Sequence, residues 1–370
     1  MTEISENKFE RHGFLPKKLK KPLLVVAFVA LNVAVIAATA ANEFGNSREA
    51  AKLSEININW WLIIPAAVCF IVAITLEIGK YALMLHQMEP KAMRKKNDEW
   101  KIARRTVLLG RYYDNITPAA VGGQPFQIYF MRKNADISNG LATTIPIFGM
   151  ISLQIAFILI ALVCFIFGGL AESNAALAVT AWIGLAFYAF WPVVIGMATF
   201  YPKTTTGLIK FVVKILSRLK IVKDKEAALK KTEQEVKEYV KCVKMILKRR
   251  KLFVLIILMS LVFNVLMAAI PFFLLTAFGG QMDFAQCFTL TIAVMSAVYF
   301  IPTPGNSGAA EGTFYLVFSA LSSGYVFWAM LFWRFFSYYI YIIMGPIIYF
   351  FMHLEKKRAT QSSAKKPGEN

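Results

Sequence analysis

Residues 301–311 read Ile301-Pro302-Thr303-Pro304-Gly305-Asn306-Ser307-Gly308-Ala309-Ala310-Glu311 and interrupt two apolar runs, 284–300 and 313–321. Two prolines and two glycines within seven residues cannot continue a helix. A helix restarting after such a break exposes unpaired backbone N–H groups and the positive end of its dipole. Glycine lets an anion approach that backbone, so Pro304, Gly305, Asn306, Ser307 and Gly308 form a candidate phosphate cradle. A second break, Thr117-Pro118-Ala119-Ala120-Val121-Gly122-Gly123-Gln124-Pro125, has the same grammar, with Gln127 and Arg132 following it. In both places the plainer alternative is that glycine only permits tight helix packing.

Two ionisable residues stand out beside the second cradle. Arg334 lies well inside an apolar run, with Tyr338 one turn further on. A lone arginine at mid-membrane costs about 2.5–3.5 kcal/mol even on the gentlest scale, so it needs an anion. Glu311 or a bound phosphate can supply it. Around the first break, Arg104, Arg105, Arg111, Asp114, Gln127, Tyr129, Arg132 and Lys133 could gather anionic headgroups, or serve as ordinary topology-setting charge.

Other chemistries find little support. Cys69, Cys164 and Cys287 lie in apolar segments and Cys242 in a basic one, with no CxxC spacing. His12, His86 and His353 are scattered, so no metal site is expected. There is no Ser/His/Asp set and no ATP-binding P-loop, and no cofactor is expected.

The elements that must hold these breaks follow from composition. The chain has 370 residues, 57% of them hydrophobic, and a mean hydropathy of +0.54, which indicates a polytopic membrane protein. The net charge is +19, but basic residues cluster between apolar runs. The positive-inside rule and anionic headgroups explain that pattern, and no direct nucleic-acid partner is expected. Expected spans are 22–41, 60–85, 141–167, 176–200, 252–278 and 326–351. Glu77 and Lys80, at i and i+3 in the second, read as a mutually paired, snorkelling couple.

The resulting plan is an all-α integral membrane protein with about six full spans plus two re-entrant broken hairpins, or eight spans if both segments of the second hairpin cross. A basic cytoplasmic N-terminus (1–21) precedes a first membrane half (22–200) containing the hairpin 116–131. A basic amphipathic connector (201–251) has sixteen Lys or Arg against five acids between 203 and 251. A second membrane half (252–352) contains the broken hairpin 284–321, and 353–370 is a cytoplasmic tail. Counting charges, both termini are cytoplasmic and the two hairpins enter from opposite faces. Interrupted segments in corresponding halves are the mark of an inverted repeat with its site near the midplane.

Both motifs resemble those of a known family. Asn115-Ile116-Thr117-Pro118 with Gly122-Gly123-Gln124-Pro125-Phe126-Gln127-Ile128-Tyr129 is one. Pro302 through Phe314, followed by Trp333-Arg334 and Tyr338-Tyr339, is the other. Together they resemble the flippase-like transmembrane domain of bacterial lysylphosphatidylglycerol synthases, over nearly all of 20–352. The resemblance implies a bacterial inner-membrane location and movement of lysyl-phosphatidylglycerol to the outer leaflet, which aids resistance to cationic antimicrobial peptides. Long family members add a cytosolic aminoacyl-tRNA-dependent transferase domain; about twenty polar residues follow the last expected span here, so that domain is expected to be missing.

The expected function is therefore translocation of an anionic or aminoacylated phospholipid. The alternatives are a phosphatidylglycerol lysyltransferase, as the family name implies, and a non-transporting scaffold for a lipid synthase. Candidate protein partners are a second copy of the chain, as a homodimer, and a separate lipid aminoacyltransferase.

Overall fold

A computed structural model describes residues 58–88, 98–117, 122–135, 137–201, 237, 240–299, 301–320 and 326–364. The expected first span (22–41), the N-terminus, Pro118, most of the connector and the end of the tail lie outside the described residues. The described elements are helices and their connections. They are α1 (Ile63–Met88, entered through a 3-10 turn at Trp60–Leu62), α2 (Asp98–Ile116), α3 (Gly123–Asn134), α4 (Asn139–Phe167), the short α5 (Leu170–Ser173) and α6 (Ala175–Phe200). After helical residues 240–248 come α7 (Arg250–Ala277), α8 (Phe284–Val298), α9 (Ala309–Ser319), α10 (Val326–Arg334) and α11 (Ile340–Ala364).

Five stretches among the described residues are long and apolar enough to cross a membrane: Trp60–Met88, Asn139–Phe167, Ala175–Met197, Arg250–Ala277 and Val326–Glu355. They coincide with five of the six expected spans. The last one is interrupted by a π-helical turn, Phe335–Tyr339, directly after Arg334. Helix α6 exposes Val179, Trp182, Ile183, Phe187, Phe190 and Val193, an outward apolar face suited to lipid.

The basic segment before the first break is more ordered than a loop. Its residues Ala103, Thr106, Val107 and Gly110 repeat at three- and four-residue intervals and are buried, so α2 is amphipathic and packs against α1, α3 and α11. Arg111 and Asp114 consequently ride a helix into the break instead of lying at its rim. Caps fix several starts: Asp283 accepts from the Ala285 and Gln286 N–H groups (2.9 and 3.2 Å), and Asn174 accepts from Leu177 N–H (2.9 Å).

Helices α6 and α8 meet backbone to backbone at Gly184. A Cβ there would lie 1.9 Å from the Ser296 carbonyl oxygen, a neighbour that cannot rotate away. Gly184→Ala is expected to force the helices apart and to cost about 1–3 kcal/mol of overpacking energy. A lowered thermal midpoint of the detergent-solubilised protein is the readout; an unchanged midpoint would show that the helices slide freely.

Candidate functional site

The second break turns through three left-handed backbones, Gly305 (φ +57°), Asn306 (φ +56°) and Gly308 (φ +88°). Glycine and asparagine are the residues that adopt this conformation at least cost. The turn folds Glu311 back on its own helix start, where Oε2 accepts from Gly308 N–H at 2.7 Å. Oε1 of the same carboxylate accepts from Arg334 Nε, also at 2.7 Å. Arg334 Nη2 donates to the Gly305 carbonyl and to Ser307 Oγ, both at 3.2 Å. The π-helical turn brings the Tyr338 ring beneath the guanidinium, 4.4 Å from its centre. Glu311 and Arg334 are buried, 2% and 4% exposed. Of the two readings for this arginine, the geometry shows the internal pair. The backbone donor at Gly308 and the charge on Arg334 are both taken up by Glu311.

The first break repeats this logic. Gly122 N–H donates to Thr117 Oγ1 (2.9 Å), which donates to the Tyr113 carbonyl (2.7 Å). Gly123 N–H donates to Asp114 Oδ1 at 2.9 Å. Each half-helix therefore starts on a protein carboxylate, Asp114 for α3 and Glu311 for α9, which complements the positive end of its dipole.

The two breaks meet. Asn115 Nδ2 donates to the Tyr338 carbonyl at 3.4 Å, and a Cβ on Gly305 would lie 3.2 Å from the Asn115 carbonyl oxygen. Between them lies a cavity of about 500 Å³. Asn115, Gln124, Pro125 and Gln127 line it from the first hairpin, and Gly305, Asn306 and Ala310 from the second. Trp333, Arg334, Ser337 and Tyr341 close it from the last span. Much of the remaining wall is apolar, including Ile147, Leu153, Phe157, Met267, Met295 and Val298.

Of the expected site residues, Gln124, Gln127, Gly305, Asn306 and Arg334 reach the cavity. Ser307, Gly308, Glu311 and Tyr338 surround Arg334 instead, and the Pro304 carbonyl closes the turn by accepting from Ser307 N–H (3.1 Å). Thr117, Gly122 and Gly123 build the start of α3. Arg132 is away from the cavity, exposed, and donates to Thr143 Oγ1 at 2.9 Å.

One wall of the cavity is charged and is not marked by the proline and glycine breaks. Glu77, Arg111 and Asp114 line the cavity together. Lys80, fully buried, does not snorkel: it is 3.0 Å from Glu77 and donates to the Gly149 carbonyl (3.1 Å), Ser152 Oγ (3.3 Å) and Ser260 Oγ (3.2 Å), tying three helices together. Glu77 is held by it, and Tyr81 donates to Gln127 Oε1 at 3.3 Å. Arg111 is the exception. Its side chain is 30% exposed, and its guanidinium stands over the Phe263 ring at 5.3 Å and comes no nearer to Glu77 than 4.0 Å. The signal for this was the Arg111/Asp114 spacing just ahead of a break, which places both on one face of a helix entering it.

The family model described as "Lysylphosphatidylglycerol synthase TM region" matches residues 23–345. No match is found among curated proteins or among solved structures. With that match over most of its length and a multi-pass helical membrane fold around a two-hairpin cavity, the chain belongs to the lysylphosphatidylglycerol synthase TM-region family, and its role is a membrane lipid-related one.

Proposed function

We propose that the protein translocates a phospholipid with an anionic or aminoacylated headgroup, such as lysyl-phosphatidylglycerol, between the leaflets of a bacterial inner membrane. The observation that carries this reading is Arg111: a cation lining the cavity whose nearest carboxylate partner, Glu77, stays 4.0 Å away. A guanidinium presents five donors in a planar fork that matches phosphate oxygens. The amide side chains of Asn115 and Gln124, which line the same cavity, offer further donors to a phosphodiester. The apolar remainder of the wall suits the glycerol and upper acyl segments, as amphipathic ligand pockets require.

Arg334 and Glu311 act in this scheme as the hinge that shapes the second hairpin. Arg334 also lines the cavity that would receive the headgroup. Movement of lipid is downhill or coupled to an ion, since the chain carries no P-loop.

A leaflet-resolved assay in proteoliposomes tests the reading. Losing a charge-assisted hydrogen bond to phosphate is worth about 1.5–3 kcal/mol. Arg111→Gln is accordingly expected to slow translocation by about 10- to 100-fold. Lysine incorporation from charged tRNA into lipid would instead assign a lysyltransferase. Absence of both activities in the wild-type protein would leave a scaffold for a lipid synthase.

A further inference from the structure

The charges around the cavity cancel before anything binds. Glu77 and Asp114 supply two negative charges, Lys80 and Arg111 two positive ones, and Glu311 with Arg334 balances separately. A phosphodiester entering beside Arg111 leaves the group with one uncompensated negative charge in a half-buried, mostly apolar cavity. Such an excess is costly at low dielectric, and the cheapest remedy is a proton on the least supported carboxylate.

That carboxylate can be identified. Glu77 has the Lys80 ammonium at 3.0 Å and the Arg111 guanidinium at 4.0 Å, although its Oε2 makes no hydrogen bond among the described residues. Glu311 is fixed by Arg334 at 2.7 Å. Asp114 has only the Gly123 N–H on Oδ1, and its second oxygen makes no hydrogen bond among the described residues. The groups that interact with it are Arg111 from its own helix, Tyr81 from α1 and Tyr299 from the end of α8, while Glu77, Arg334 and Tyr341 line the same cavity. Among these Arg111 is the cation that an incoming phosphate recruits away. A metal ion is a poor substitute for the proton. Hard cations need several oxygen ligands, and the described residues contain no cluster of three or more carboxylate, histidine or cysteine side chains.

We propose that Asp114 is a proton site coupled to the headgroup site, so that each anionic phosphodiester bound at Arg111 draws one proton from water onto the Asp114 carboxylate. The inference rests on the translocase reading above for the position of the phosphate. It adds a distinction between substrates: a headgroup with its own ammonium keeps the cavity neutral and draws no proton. Anionic lipid is then favoured by low pH, and its affinity falls about tenfold per pH unit over the range in which the empty site has lost the proton and the occupied site retains it.

Calorimetric titration of the full-length protein in detergent, with dihexanoyl-phosphatidylglycerol in buffers of different ionisation enthalpy, counts the protons directly. At a pH where the empty site is ionised, the expected result is about one proton taken up per phosphatidylglycerol, and none with the zwitterionic dihexanoyl-phosphatidylethanolamine. In Asp114→Asn, whose side-chain oxygen can keep the Gly123 cap, uptake is expected to vanish. Wild-type binding of phosphatidylglycerol without proton uptake, equal uptake with both lipids, or uptake that survives Asp114→Asn overturns the coupling and leaves translocation standing. Failure of the wild-type protein to bind either lipid overturns both.

Discussion

Arg334→Gln is expected to destabilise the protein by about 3–5 kcal/mol, because it leaves the Glu311 carboxylate buried without its cation. The same change removes the donors that hold the Gly305 carbonyl and Ser307 Oγ, so the break itself loses its clamp. Arg334→Lys is expected to fall between wild type and the glutamine variant. An ammonium can reach Glu311 but lacks the planar fork and the face-on contact with the Tyr338 ring at 4.4 Å. Exchanging the two residues is not expected to rescue the fold. Glu311 also accepts from Gly308 N–H, and an arginine at that position would point a positive charge at the positive end of α9. Denaturant or thermal unfolding in detergent reads this series. An Arg334→Gln protein within 1 kcal/mol of wild type, on the order of the surface ion-pair range, would show that the pair is ornamental.

This pair also shows how far the sequence could be read. Proline and glycine content marks both breaks, and apolar run length marks the five spans found among the described residues, because those signals are local. The Arg334–Glu311 contact is one that the sequence allows, since a mid-span arginine needs an anion wherever the chain goes. What the residues could not disclose was saturation. Whether Gly308 N–H and Arg334 remain available depends on Asn306 and Gly305 both adopting positive φ, which folds Glu311 onto them. Arg111 was undervalued for the opposite reason. In a segment with Arg104, Arg105, Lys101 and Lys133 it resembles topology-setting charge, and its difference lies in the helical phase of α2. That phase turns Arg111 to the cavity, whereas Lys101 and Arg105 turn to Glu355 on α11 at 2.8 and 2.7 Å. Lys80 was placed in the right pair but at the wrong depth. Its hydroxyl partners Ser152 and Ser260 lie on two other helices, 72 and 180 residues away, beyond any local pattern.

Gly305→Val is expected to be the most damaging change at the cavity after those at Arg334. Position 305 has φ +57°, which costs a non-glycine residue about 1–2 kcal/mol, and more for a β-branched one. Its Cβ would also sit 2.2 Å from Cε2 of Tyr338 and 3.2 Å from the Asn115 carbonyl oxygen. The tyrosine cannot swing aside without abandoning the face of Arg334, and the carbonyl belongs to the end of α2. Overpacking of this kind adds about 1–3 kcal/mol, so the whole substitution is expected to cost roughly 2–5 kcal/mol. The break has no slack at the point where the two hairpins touch, so strain there should separate them and remove translocation together with stability. Gly312 supplies the internal comparison. It lies inside α9, where a Cβ would meet nothing within 4 Å, and Gly312→Ala is expected to gain about 0.5–1 kcal/mol from helix propensity alone. Unfolding midpoints and leaflet-resolved transport of the two variants measured side by side decide the matter. If Gly305→Val tracks Gly312→Ala in both measurements, the hairpins are not joined at this glycine, and the cavity does not depend on their contact.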